Sequence, residues 1–161
     1  NKLKSIKAMQ DGKAIIFLRH AKAPKVEGNR DFNVKFEDCS TQRNLNEAGR
    51  LQSKKIGNFF KKNNIKVEKV FSSEWCRCKD TAFYAFSNFE IFDALNSFYS
   101  EKFYKNKNKQ IKNLKEFISN WDNKSNLVLV THYVVILETL DKAVSSGEIV
   151  SSSPSTTPSP N

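Results

Sequence analysis

The sequence predicts an α/β protein in three layers, with a mostly parallel sheet between helices. Two observations carry that reading: short, continuously apolar runs at residues 14–18 and 127–130 have the length of strands buried on both faces, and amphipathic helical stretches alternate with them. A third points to function. Both apolar runs end abruptly on a histidine, as FLRHA and LVLVTHY, and the chain has only two histidines.

The chain has 161 residues, of which 39% are hydrophobic and 27% charged. That size suits one domain with a real core, and the composition excludes a chain disordered throughout. Residues 1–150 are read as that domain. Residues 3–10 suit a short amphipathic turn through Leu3, Ile6 and Met9, followed by the turn signal Asp11-Gly12. After the first strand, residues 21–44 form a long polar connection of the kind that borders functional sites. Asn46 caps a helix over 47–62, with Ala48, Leu51, Gln52, Lys55, Ile56, Phe59 and Phe60 turned inward.

Residues 67–71 read as the second strand and 75–86 as its helix, with Ala82, Phe83 and Phe86 on the apolar side. A third strand at 89–95, a helix at 109–121, the strand at 127–130 and a buried helix starting at 134 continue the alternation. Residues 147–150 read as a last edge strand. Residues 151–161 contain only Ser, Thr, Pro and Asn and are expected to be disordered.

A net charge of +10 favours anionic encounters. The excess is dispersed among Asn-interleaved lysines, which reads as solvated surface, and no nucleic-acid motif accompanies it. No apolar run is long enough to span a bilayer, so stable membrane insertion is not expected. Two histidines and three cysteines do not make a convincing zinc site, so no metal or cofactor is expected. Cys76 and Cys78 point to different helix faces and do not pair with each other; Cys39 bridged to one of them, or free thiols, are the alternatives.

In open α/β sheets ligands bind beyond the carboxyl ends of the strands, so His20 and His132 are placed to converge on one pocket. Arg19 precedes His20, and Arg77 falls just inside the helix after the second strand. Guanidinium forks match phosphate oxygens and a neutral imidazole can attack phosphorus, so the set describes phosphoryl transfer. Arg43, in the returning loop, is a further candidate anion contact, with a loop salt bridge as its alternative.

These motifs together resemble the histidine phosphatase superfamily, which includes the cofactor-dependent phosphoglycerate mutases. The resemblance covers about residues 14–150: Arg19-His20-Ala21 at the first strand end, RNLNEAGRLQSKKIG in the first helix, SSEWCRCKDTA in the second and LVTHYVVI around the late histidine. CSTQRNL, SSEWCRC and SGEIV are similar to one group of small bacterial members, often exported.

The resemblance implies a phosphoglycerate mutase-like fold and a metal-independent phosphoric monoester hydrolase acting on a phosphorylated small molecule. His20 would become phosphohistidine, Arg19 and Arg77 would neutralise the phosphoryl oxygens, and His132 would donate a further hydrogen bond. It also implies a periplasmic or secreted location, a cytoplasmic one being the alternative. The chain departs from the family's LxExxxG acid motif; the corresponding FDALNSFYSEKF offers Asp93 and Glu101 as candidate general acids. The competing functions are a protein phosphohistidine phosphatase and a non-catalytic anion-binding module.

Overall fold

A computed structural model describes residues 2–122 and 124–152. Its elements are α1 (Lys2–Gln10), β1 (Ile15–Arg19), α2 (Glu47–Lys62), β2 (Lys69–Ser72), α3 (Cys76–Phe86), β3 (Glu90–Ile91), α4 (Glu101–Tyr104), α5 (Lys107–Ser119), β4 (Leu127–Thr131), α6 (Tyr133–Leu140) and β5 (Ile149–Ser152), with short 3-10 turns at Cys39–Thr41 and Asp93–Leu95. The sheet order is β3-β2-β4-β1-β5, parallel throughout except for β5, which runs antiparallel to β1.

The layering follows from the two-residue period of the central strands. Ile16, Leu18, Val128 and Val130 face one core with Met9 of α1, Ile56 and Phe60 of α2, and Ala82 and Ala85 of α3. Ile15, Phe17, Leu127 and Leu129 face the other with Leu114 and Ile118 of α5 and Ile136 of α6. Both faces of β1 and β4 are therefore sealed, which is why these runs are apolar without alternation.

The helix faces differ from the sequence reading in two places. In α2 the buried face is Gly49, Ser53, Ile56, Gly57 and Phe60, while Leu51 is 51% exposed and Ala48 and Lys55 face out. Small residues occupy this face because the backbones approach closely: a Cβ on Gly57 would lie 3.2 Å from the Cα of Ala85. In α3 the buried face runs through Cys78, Ala82 and Ala85, leaving Phe83 55% exposed.

The expected strand over 89–95 is only two residues long. The chain then turns through Asp93–Leu95, because Ala94, Leu95 and Phe98 must all enter the same core. Thr131 Oγ1 pins this turn by donating to Leu95 O at 2.6 Å. The four-residue α4 was not anticipated. The last strand extends to Ser152, two residues into the stretch expected to be disordered; the remainder of that stretch, 153–161, lies outside the described residues.

Candidate active site

Strand register brings the two histidines together. Parallel pairing of β1 with β4 sets Arg19 beside Thr131, so the next residues, His20 and His132, leave the sheet as neighbours. Their ring centroids are 5.6 Å apart and both rings are buried. Arg77 reaches the same place from the first turn of α3. A cavity of about 250 Å³ beyond these strand ends is lined by Arg19, His20, Arg43, Arg77 and His132, together with Asp31.

His20 Nδ1 lies 2.8 Å from Ala21 O. A carbonyl can only accept, so Nδ1 carries the proton and Nε2 keeps its lone pair. Burial holds the His20 pKa well below 6.5, and the Arg77 charge adds to the shift, so the ring is neutral at physiological pH. Ala21 N donates to Thr81 Oγ1 at 2.9 Å, tying this segment to α3.

His132 is depressed in the same way, by burial first and then by Arg77. Its Nε2 is taken up by Ser73 Oγ at 2.9 Å, leaving Nδ1 as the ring nitrogen for a ligand. Ser73 and Glu74 N both donate to Asn96 Oδ1, while Asn96 Nδ2 donates to Glu74 Oε2, so Glu74 serves this network. The Cys78 thiol lies 3.4 Å from His132 Nε2, and burial pushes its pKa up to about 12. It stays a thiol and is no rival nucleophile.

Arg19 and Arg77 are each held by an aromatic face and by oxygen acceptors. The Arg77 guanidinium sits 4.6 Å from the Trp75 ring centroid and its Nη1 donates to Asp31 Oδ1 at 3.1 Å and Arg43 O at 3.2 Å. Arg19 lies 5.3 Å from the Tyr133 centroid and donates to Val144 O at 2.7 Å. The Nε groups of both are buried donors without a hydrogen-bond partner among the described residues. Such orphans cost free energy that a bound anion would remove.

Arg43 Nη1 donates to Ala23 O, and its backbone N donates to Asp31 Oδ1 at 2.7 Å. Burial lowers the Arg43 pKa from its usual value, Arg77 adds to that shift and Asp31 opposes it. The loop carrying Arg43 is fastened to α3 by a disulfide between Cys39 and Cys76, and Gln42 Oε1 accepts from Cys76 N at 2.8 Å. Cys78 is free and buried.

Arg19, His20, Arg43, Arg77 and His132 thus meet in one cavity. The two candidate acids do not join them. Glu101 is exposed on α4, one residue past the cavity-lining Ser100, and Asp93 lines a different cavity beside Glu74 and Asn106. A one-residue step on a helix rotates the side chain by about 100°. Sequence reasoning missed Asp31, the carboxylate that does line the cavity; nothing distinguishes it from the other polar residues of its loop. It also missed the supporting Thr81, Ser73 and Asn96, and the stacking Trp75 and Tyr133. Among the described residues no group of His, Cys, Asp and Glu is arranged to hold a metal ion, and no helix is long and apolar enough to cross a membrane.

The fold is phosphoglycerate mutase-like. Among solved structures of this fold, the protein histidine phosphatase SixA bound to tungstate is 14% identical, with 86% of each chain covered and a TM-score of 0.61. A mycobacterial glucosyl-3-phosphoglycerate phosphatase in complex with VO3 is 14% identical, covering 86% of this chain and 92% of that one, with a TM-score of 0.61. A putative alpha-ribazole-5'-P phosphatase from Escherichia coli is also 14% identical, covering 86% of this chain and 89% of that one, at a TM-score of 0.63. No protein-family model matches the sequence, and a search of curated proteins finds no match.

Proposed function

We propose that the protein is a phosphohydrolase of the histidine phosphatase superfamily, removing phosphate from a small phosphomonoester through a phosphohistidine at His20. The observation that carries this reading is the hydrogen bond from His20 Nδ1 to Ala21 O, which leaves a neutral imidazole with an available Nε2 in a cavity shared with Arg19, Arg77 and His132. The solved phosphatases with this fold support it.

In the first step Nε2 forms a bond to phosphorus as the bond to the leaving oxygen breaks, its electron pair departing with that oxygen, which takes a proton from solvent. The Ala21 carbonyl stabilises the positive charge that develops on the ring. Arg19 and Arg77 neutralise the phosphoryl oxygens, and His132 Nδ1 donates a hydrogen bond once the single Ser73 hydroxyl proton turns from Asn96 Oδ1 to His132 Nε2. Water then attacks phosphorus, the N–P bond breaks, its pair returns to Nε2, and phosphate and a proton leave. Two guanidiniums supply the positive charge, so the reaction requires no metal. With Glu101 and Asp93 outside the cavity, leaving groups of low basicity are favoured.

The Cys39–Cys76 bridge supports an exported protein, since such bonds persist in oxidising compartments. Cell fractionation tests this, and recovery in a reducing cytoplasm with both thiols free overturns it.

The deciding assay is hydrolysis of an activated aryl phosphate in chelator by wild type, His20→Ala and His132→Ala. Turnover abolished in His20→Ala, with acid-labile phosphate trapped on wild type, supports the reading. Vanadate binding by folded wild type without turnover replaces it with an anion-binding module.

A further inference from the structure

Beyond the cavity around His20 lies a second one of about 460 Å³, lined by Lys25, Arg30, Asp31 and Arg43 along with the tip of a tight turn. The two cavities share Lys25, Asp31 and Arg43. Val26 and Asn29 pair across this turn as an isolated antiparallel bridge, closed by Gly28 at φ 82°, so Lys25 and Arg30 flank the bridge on its two arms. A residue with a side chain is strained at that φ, which is what glycine provides here.

The turn is anchored. Asn29 Nδ2 donates to Pro24 O at 2.9 Å and to Asn44 O at 3.0 Å, while Asn44 N returns a bond to Asn29 Oδ1 at 2.9 Å. One asparagine thereby fixes the Lys25 and Arg30 arms against the residue following Arg43. Among the described residues neither Lys25 nor Arg30 takes part in an ion pair. Of the carboxylates in this cavity, Asp31 already serves Arg77, and Glu27 lies exposed at the turn. Lys25 and Arg30, both with exposed side chains, and Arg43 thus stand on a braced backbone beside the cavity around His20.

Resting on the phosphatase reading above, we propose that the substrate carries a second phosphoryl group, bound by Lys25, Arg30 and Arg43 while the first lies against His20. Its chemical class is a bisphosphorylated small molecule. Arg43, which borders both cavities, is the element that couples the two ends, and the planar guanidinium forks of Arg30 and Arg43 suit phosphate oxygens better than a single carboxylate. The subsite holds the far end of the substrate and takes no part in bond cleavage.

The experiment compares aryl phosphates that carry a second phosphate on an alkyl tether of increasing length with aryl phosphates that carry the same tether without it. Wild type is expected to show a kcat/KM ratio favouring the bisphosphate by about tenfold or more at one length, expressed mainly in KM and falling with salt. The Lys25→Ala/Arg30→Ala double variant brings the ratio close to one. Lys62→Ala/Lys112→Ala, which removes the same charge from exposed positions elsewhere, keeps it and so separates a subsite from the attraction of a basic surface. Monophosphate turnover with no bisphosphate preference at any length overturns the proposal, as does a preference that survives in Lys25→Ala/Arg30→Ala. Calorimetric binding of both ligands to His20→Ala reads the subsite without turnover: tighter bisphosphate binding there, with no hydrolysis by wild type, removes the phosphatase reading and keeps the subsite, and equal binding removes the subsite.

Discussion

Asp31 Oδ1 stands 3.1 Å from Nη1 of Arg77, so a carboxylate of the protein holds one side of a guanidinium that lines the cavity with His20. Asp31 aligns Arg77 and competes with an incoming anion for its charge. Asp31→Asn keeps an oxygen for the Arg43 backbone N–H and removes the charge. Vanadate should then bind about two- to fivefold more tightly, the range of a partly exposed ion pair. An unchanged or weaker inhibition constant would show that alignment outweighs competition.

Arg77→Lys tests the fork itself. Lysine keeps the charge but loses the flat face against Trp75 and the paired donors. Expected is a fall in kcat/KM on an aryl phosphate of about 100-fold or more, with an unchanged circular dichroism spectrum. Activity within a few-fold of wild type would mean that charge alone suffices.

Burial sets the pH behaviour. His20 and His132 both have folded-state pKa values well below the ordinary 6.5. As pH falls through 6.5 the unfolded chain takes up protons that the folded one does not, so stability is present above that pH and is progressively lost below it. The Tm should therefore drop between pH 6.5 and about pH 5, and His20→Gln/His132→Gln should flatten that slope. On the proposed mechanism His20 attacks as a ring that stays neutral over the same window, so kcat/KM in still-folded protein should show no inflection near 6.5 from it. An inflection there would place its pKa at the ordinary value.

The Cys39–Cys76 bridge closes a loop with a sequence separation of 37 that contains Arg43. Chain entropy assigns such a loop about 3–4 kcal/mol. Reduction should lower the urea midpoint accordingly and raise KM for phosphate esters, because Arg43 sits on the released loop. Equal midpoints with and without reductant would contradict this.

Gly57→Ala reverses the usual helix-propensity expectation. Alanine is the better helix former, yet its Cβ would press on the Ala85 backbone of α3. Overpacking should leave the variant about 1–3 kcal/mol less stable in urea unfolding. A stabilised variant would show that α2 and α3 can slide apart freely.

The sequence by itself determined the alternation of elements and the central strands, because strands sealed on both faces must be apolar along their whole length. It also determined the meeting of His20 with His132, because residues ending adjacent parallel strands leave the sheet at the same edge. Arg19 and Arg77 were legible for the same reason, each being fixed by its position next to a strand end. Tertiary structure decided what depends on rotation and on distance through space. The buried face of α2 turned toward Gly49, Ser53 and Gly57 because close helix approach, and not side-chain hydrophobicity, set it. The pairing of Cys39 with Cys76, the exclusion of Glu101 and Asp93 from the cavity, and the arrival of Asp31 beside Arg77 all rest on how the 21–44 connection and the 93–104 segment lie across the strand ends. Polar connections carry no periodic signal, so their course is set by hydrogen bonds such as those of Asn29 and Gln42, whose partners lie far along the chain.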